Sequence, residues 1–363
     1  YNESFVDSSP QWTVSPRVSF QFPISDVAEF FAHYDLLVQR PDPGLNRFDP
    51  IDYLQLENGS AGFLANPALK PQKTTDYEIG FRQKLSENSA LKISAFYREM
   101  RDMMQTVSLN EAFPLTYVTY GNQDFGTVKG FTFSYDMRQT GNLRLMANYT
   151  LQFADGSGSG PNSGANIARS GQPNLRYILP LDYDSRHQLV LSIDYRYGEG
   201  AFYNGPVIGN KNILENFGVN FVVNGTSGTP FTRRVQAYSL TAGASSVPLV
   251  GQVNGSRLPW QVRVDMTVNK VWAYKYGEGG KKRGSMEVYI QALNLLDALN
   301  VLQVYPFTGS AADDGYLASP QGQSSLSFQT DAQSFADLYN VSMQNAGFYT
   351  LPRRLRLGLR IGF

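Results

Sequence analysis

Only two histidines, His33 and His187, occur in 363 residues, and there is no cysteine. Disulfides, thiolate metal sites and cysteine nucleophiles are thereby excluded, and most imidazole chemistry with them. His187 follows Asp184, Ser185 and Arg186, which are the residue types of a hydrolase. Their adjacency defeats that chemistry. Neighbours along a strand point to opposite faces, so no relay from carboxylate through imidazole to hydroxyl can assemble. Asp313 and Asp314 offer oxygen ligands, but calcium takes about six to eight oxygens, and the pair reads as solvated loop acids. The run 155–164, DGSGSGPNSG, has the glycine content of a phosphate cradle. Such a cradle needs a βαβ unit around it and none is present, so the run reads as a mobile external loop. Two sets of residues remain. One is a ladder of arginines: Arg144, Arg263, Arg353, Arg354, Arg356 and Arg360. The other is a set of aromatics, Tyr305, Phe307, Tyr316, Tyr339 and Phe348, which either line a ligand vestibule or fold their loop onto itself. No metal, cofactor or enzymatic reaction is expected.

The elements that would carry these residues are strands. Period-two alternation runs through nearly the whole chain. At the C-terminus Leu355, Leu357, Leu359, Ile361 and Phe363 alternate with Arg356, Gly358, Arg360 and Gly362. Between 143 and 153 the odd positions are apolar or tyrosine, and the even ones are Arg144, Met146, Asn148, Thr150 and Gln152. Equivalent patterns at 131–138, 188–197 and 262–269, with weaker ones at 12–22, 27–38, 75–85, 91–100, 217–224 and 285–293, give about eleven strands. Helical spacing occurs near 331–343, around Phe335, Leu338 and Tyr339. The fold class is all-β.

A soluble sandwich also alternates, and three features favour an antiparallel transmembrane β-barrel instead. Charged residues recur in mid-strand on the polar side, as a wet lumen allows: Arg144, Asp194, Arg263, Asp265, Arg356 and Arg360 are assigned to it. Aromatics gather toward strand ends as interfacial girdles do: Phe30, Phe31, Tyr34, Phe96, Tyr97, Tyr195, Tyr197, Trp272, Tyr274 and Tyr276. Connections alternate in length. Short or medium turns at 23–26, 86–89, 139–142, 198–212 and 277–284 take turns with long loops at 40–73, 105–125, 154–185, 225–257 and 297–350. Outer-membrane barrels keep short turns periplasmic and long loops outside. Phe363 then ends at the periplasmic rim, and Lys281–Arg283 lies in a periplasmic turn. Aromatic residues are 13 % and charged residues 17 %, against about 25 % charged in ordinary soluble domains. With 31 basic and 31 acidic residues, nothing points to nucleic acid. Eleven strands is an odd number, and bacterial single-chain barrels are even-numbered, so all of 1–363 is expected to be one part of a larger barrel domain.

Four segments carry a family resemblance: NPALKPQKTTDYEIGF at 66–81, SGTPFT at 227–232, NLLDALNV at 294–301 and LPRR at 351–354 before the closing strand. In that order and spacing they resemble the C-terminal half of a TonB-dependent outer-membrane receptor of the Bacteroidetes type, within the Oar-like group that carries a carboxypeptidase-regulatory-like domain. The resemblance implies a barrel of about 22 strands, of which this chain supplies half, with a lumen plug and a TonB-contacting segment lying on sequence not present here. It implies active uptake of a nutrient, with an export, adhesion or scaffold role, or a passive pore, as alternatives. It also implies as partners outer-membrane lipid, a TonB-type energising protein, the barrel-assembly machinery and a surface lipoprotein. The assembly machinery would read Leu355, Leu357, Leu359, Ile361 and Phe363 as its signal.

Overall fold

The computed structural model of the chain describes residues 10–47, 49–59, 62–109, 116–171, 176–209, 211–240, 247–277 and 282–363. Eleven long strands follow the alternating segments: β1 Arg17–Ser25, β2 Ala28–Gln39, β3 Gln72–Ser86, β4 Ser89–Leu109, β5 Tyr117–Thr140, β6 Leu143–Gly156, β7 His187–Arg196, β8 Phe217–Thr226, β9 Gln261–Tyr276, β10 Lys282–Leu293 and β11 Arg354–Gly362. Each pairs antiparallel with its successor in the chain. Together they make a 13-stranded sheet whose two extra members are the two-residue strands Phe63–Leu64 and Leu179–Pro180. Among the described residues no helix is long and apolar enough to cross a membrane, which says nothing about strands.

Residues opposite one another across a pair share a face, so the register decides which side chains lie together. One row runs Phe20, Ala32, Ile79, Ala95, Phe131, Leu151 from β1 to β6. Another runs Leu145, Ile193, Phe221, Met266, Ala292, Leu355 from β6 to β11. The apolar face is therefore continuous across all eleven strands. It is also uncovered: Leu357 is 77 % exposed and Phe131 52 %. A sandwich would bury it beneath a second sheet about 10 Å away, and the other sheets among the described residues are only two pairs of two-residue strands. The sandwich is excluded.

Phe31 and Phe96 depart from the girdle expected of them. The ladder sets Phe31 opposite Gly80 and Phe96 opposite Gly130, on the polar face. Their rings lie where a Cβ on either glycine would stand, at 2.3 and 2.8 Å. Adjacent aromatics in a strand cannot share a face, and the ring with a glycine opposite packs flat on the sheet. Tyr34, Tyr77 and Tyr97 do form a row on the apolar face, with centroids 5.3 and 6.4 Å apart. At the short-turn end Tyr274, Tyr276 and Phe363 make a second aromatic group.

The expected loop at 105–125 is a correction to the sequence reading. β4 and β5 extend to 21 and 24 residues and carry their pairing beyond the other strands as a projecting hairpin. The register slips between Met100 and Met103, where Asp102 adopts a positive φ of 57°. That irregularity breaks the alternation and hides the continuation from a period-two reading. The last connection holds two helices rather than one: α1 Pro320–Ser327, capped by the Ser319 side chain, and α2 Ala332–Met343, capped by Asp331. Lys281 lies outside the described residues, while Lys282 and Arg283 belong to β10.

Candidate functional site

The polar face collects the charged residues singled out from the sequence. Arg144, Asp194, Asn220, Thr267, Gln291 and Arg356 form one row across β6 to β11. Arg263, Asp265 and Arg360 lie on the same face by register. Arg263 pairs with Asp265 at 3.0 Å, Arg360 with Glu287 at 2.7 Å, and Asp194 with Arg196 at 3.7 Å. On β2 to β4 the pairs are Glu29 with Arg82, Glu78 with Lys92 at 3.1 Å, and Asp76 with Arg98 at 2.7 Å. Arg144 meets only the Met146 sulfur at 3.6 Å, and Arg356 has no carboxylate in ion-pair range among the described residues. Arg353 leaves the ladder; its backbone N–H donates to Asp297 Oδ1 at 2.8 Å ahead of β11.

At the end bearing the long connections, the recurring motifs act as clamps. Asn66 donates from its amide to the Tyr120 carbonyl at 2.8 Å, and Asn122 exchanges hydrogen bonds with Lys70 at 2.8 and 2.9 Å, tying the 66–81 motif to the projecting hairpin. Ser227 Oγ accepts from the His187 N–H at 3.0 Å. Gly228 packs so closely that a Cβ there would lie 1.9 Å from the Leu258 carbonyl oxygen, so only glycine fits. Asn294 is buried at a positive φ of 54° and bonds Ala298 and the Leu351 carbonyl, while Asn300 bonds both backbone groups of Val262. Motif 294–301 thus joins β9, β10 and the approach to β11.

Asp184 is the centre of another clamp. Its side chain is 1 % exposed, receives the Ala154 N–H at 2.9 Å, and is bridged by the Arg257 guanidinium. Arg186 stands 3.6 Å away. Ser185 Oγ donates to the Ser227 carbonyl at 2.9 Å, and His187 Nδ1 meets the Tyr149 hydroxyl at 2.7 Å while its ring stacks on Trp260. Asp184, Ser185 and His187 bond other residues rather than one another, and no relay forms.

The aromatics of the last connection pack together. Tyr305, Tyr316 and Tyr339 are buried with Ala237 and Met343, and Phe307, Phe348, Leu317 and Phe335 close around them. Tyr316 and Tyr339 stack at 5.3 Å, and Tyr339 donates its hydroxyl to Asp314. Burial, joined by that bond, pushes the Tyr339 phenol well above its usual range. Asp314 also accepts the Tyr316 N–H at 2.9 Å, and Asp313 accepts the Gly315 N–H at 2.8 Å, so both acids are spent on shaping the loop. Among the described residues no group of three metal-ligating side chains occurs.

A cavity of about 400 Å³ opens between the β4–β5 hairpin and the β6–β7 and β8–β9 connections. Sequence reasoning missed it, because its walls come from three separate segments. At its floor Asp124, 6 % exposed, accepts from Gln105 Nε2 at 2.8 Å and Ser157 Oγ at 2.9 Å. Gln105 also donates to Ser163 Oγ and accepts from the Thr106 and Gly164 N–H groups. The glycine-rich run is therefore anchored to the hairpin and is not the mobile loop expected. No signal in the sequence marks Gln105, Thr106 and Asp124 as polar groups buried within strands, and such groups need partners from elsewhere in the fold.

An open, antiparallel, two-faced sheet with one apolar face largely uncovered is the wall of a membrane-spanning barrel. Residues 1–295 match the TonB dependent receptor-like β-barrel family, and the chain belongs to that family, whose members reside in the outer membrane and transport rather than catalyse. A comparison with curated protein sequences finds no match. Among solved structures, the Pseudomonas aeruginosa FpvA complex with a heterologous pyoverdine and iron is similar, with a TM-score of 0.51 and 12 % identity, over 96 % of this chain and 32 % of that one. The Escherichia coli outer membrane transporter YddB is similar with a TM-score of 0.52 and 12 % identity, over 79 % of this chain and 37 % of that one. At these identities the likeness shows the fold. The chain spans about a third of the length of these structures.

Proposed function

We propose that this chain, all of 1–363, is the C-terminal part of the barrel domain of an active outer-membrane transporter, energised by a TonB-type protein through sequence outside this chain. The observation that carries the reading is the uncovered apolar face spanning all eleven strands, with an ion-paired polar face behind it. The apolar face meets lipid, and Arg144, Asp194, Arg263, Asp265, Arg356 and Arg360 line the lumen. The dimensions agree. Trp260 and Trp272 are twelve residues apart, or about 40 Å along the strand. A tilt of about 35–45° reduces that to roughly 30 Å across the membrane, close to the apolar band of outer-membrane barrels.

Orientation follows from the connections. Five turns, at 26–27, 87–88, 141–142, 197–216 and 277–281, share one end of the sheet and belong in the periplasm with Phe363, while the other end carries four long connections and the projecting β4–β5 hairpin and faces outward. Leu355, Leu357, Leu359 and Ile361 alternate on the apolar side of a strand whose outer edge is open, the form an insertion machinery can pair with during assembly. The Oar-like assignment rests on the four sequence motifs. The aromatics Tyr305, Phe307, Tyr316, Tyr339 and Phe348 shape the last outer loop and, through Phe307 and Phe348, border any ligand that reaches it. A second reading, export or adhesion with a surface lipoprotein as partner, is favoured by one feature. Phe328, Leu338 and Val341 stand exposed in the last connection.

Single cysteines in the full-length receptor test the orientation. On intact cells a membrane-impermeant maleimide should modify Tyr177→Cys and Leu338→Cys, and reach Gly141→Cys only after lysis. The opposite labelling pattern would refute it.

A further inference from the structure

The polar face is balanced in charge on one side of the sheet and cationic on the other. Over β2 to β4 the acids Glu29, Asp35, Asp76 and Glu78 share it with the bases Arg82, Lys84, Lys92 and Arg98. Over β9 to β11 it carries Arg263, Lys275, Arg283, Arg354, Arg356 and Arg360 against Asp265 and Glu287 alone. Both of those carboxylates are fully used, each oxygen by a different donor. Asp265 takes the Asn294 N–H at 2.9 Å and Arg263 at 3.0 Å, and Glu287 takes the Asn269 amide at 2.8 Å and Arg360 at 2.7 Å. Lys275, Arg283, Arg354 and Arg356 are exposed, with no carboxylate in ion-pair range among the described residues. The turn at 277–281 adds Glu278 and Lys281 by sequence, which leaves the balance unchanged.

The spacing of these cations is adverse unless an anion joins them. Lys275 and Arg283 stand directly opposite one another on β9 and β10, and like charges so placed destabilise a sheet. Arg354 and Arg356 lie on one face of β11, about 7 Å apart along the strand. Their neighbour β10 meets them with Leu293 and Gln291, neither of which carries a charge. Elsewhere on this face a cation has an acid directly across from it: Arg82 has Glu29, Arg98 has Asp76 and Arg360 has Glu287. The sheet therefore has a means of neutralising its cations and does not apply it to these four. Adjacent guanidinium forks suit a ligand with more than one carboxylate or phosphate, since each fork takes such a group bidentately. A wall of one sign also concentrates ions of the other sign along it.

We propose that the polar wall over β9 to β11 binds a solute bearing several carboxylate or phosphate groups, with Arg354 and Arg356 as its outermost contacts. This rests on the transporter reading and deepens it by assigning a charge class to what moves along the lumen.

The probe is chromium oxalate, a polycarboxylate trianion that relaxes nitroxides, used beside a neutral nickel chelate. Nitroxides are placed singly in the folded full-length receptor through Gln291→Cys, opposite Arg356, and Thr150→Cys, on the same face between Thr132 and Gln188. The ratio of chromium to nickel accessibility should be at least about threefold higher at 291 than at 150 in low salt. It should fall to the value at 150 in about 1 M salt, where charges are screened within a few ångströms. Citrate should lower it at an ionic strength where sodium chloride does not. Arg354→Gln combined with Arg356→Gln should at least halve it, and the salt and citrate arms use the native arginines if that variant assembles poorly. Equal ratios at 291 and 150 would overturn the assignment, because carboxylates outside this chain would then already neutralise the arginines. Citrate acting no better than sodium chloride, or a folded double variant with an unchanged ratio, would overturn it as well. The transporter reading fails separately, if Tyr177→Cys is unlabelled on intact cells while the ratio at 291 is still raised.

Discussion

Asp184 and Arg257 show how much of this chain's polar chemistry is spent on architecture. Arg257 bridges the buried Asp184 side chain and also donates from Nη1 to the Asp184 carbonyl at 2.6 Å. Arg257→Met leaves a carboxylate at 1 % exposure with the Ala154 N–H as its near partner and Arg186 at 3.6 Å. Breaking a buried pair by removing one member costs about 3–5 kcal/mol. We expect the lower end, because Arg186 compensates in part, read as earlier thermal release of the β6–β7 and β8–β9 connections to limited proteolysis. Asp124 gives a pH prediction. Burial is the largest influence and raises its carboxyl above the usual range, outweighing Ser157, Gln105 and Arg176, which lower it. The folded state then holds the proton more firmly than the unfolded chain. The stabilisation is fully present below the unfolded value of about 3.9 and is lost as pH rises through the raised one. The protection factors of the Gly158 and Gly164 amides, which are exchange rates corrected for the intrinsic pH dependence of base-catalysed exchange, should be higher at pH 4.5 than at pH 7. Lower protection at the lower pH would mean that the carboxylate form anchors the loop.

Elements obey the alternation that the sequence displays, and they also show where it stops being informative. Leu357 and Arg356 are neighbours on β11, with Ile290 opposite the first and Gln291 opposite the second. On a lipid-facing site near the midplane Leu357→Arg should cost about 2–4 kcal/mol, while Arg356→Leu should cost little; urea titration of the refolded receptor in bilayers measures both. All eleven strands were legible because a period of two persists wherever one face is apolar and the other wet. The projecting hairpin was not, because above the barrel wall both faces of β4 and β5 are covered by other connections. Met103, Met104, Gln105 and Thr106 are consecutive and all buried, so no alternation survives. The clamps were visible as motifs and unreadable as mechanics. That Asn294, Asn300 and Ser227 bond backbone groups brought in from other strands depends on contacts no local pattern encodes. The cavity was hidden for the same reason, its floor and walls coming from separate segments of the chain.

At the scale of the whole molecule, the two outer strands decide what the sheet can do. β1 and β11 each have one unpaired edge among the described residues and run in the same direction, since they are separated by nine antiparallel strands. Antiparallel closure therefore needs an odd number of further strands, and about eleven would complete the 22-stranded barrel of outer-membrane transporters. Each unsatisfied backbone group in hydrocarbon costs several kcal/mol, so residues 1–363 expressed alone should aggregate without heat-modifiable migration. A folded, inserted monomer would contradict the half-barrel reading. The central claim is that the apolar face meets lipid. Nitroxide labels placed singly at positions 355 to 361 of the full-length receptor in bilayers test it through collision with oxygen, which concentrates in lipid, and with a water-soluble nickel chelate. Oxygen accessibility should peak at 355, 357, 359 and 361, and nickel accessibility at 356, 358 and 360. The reversed phase, or no alternation, would contradict it.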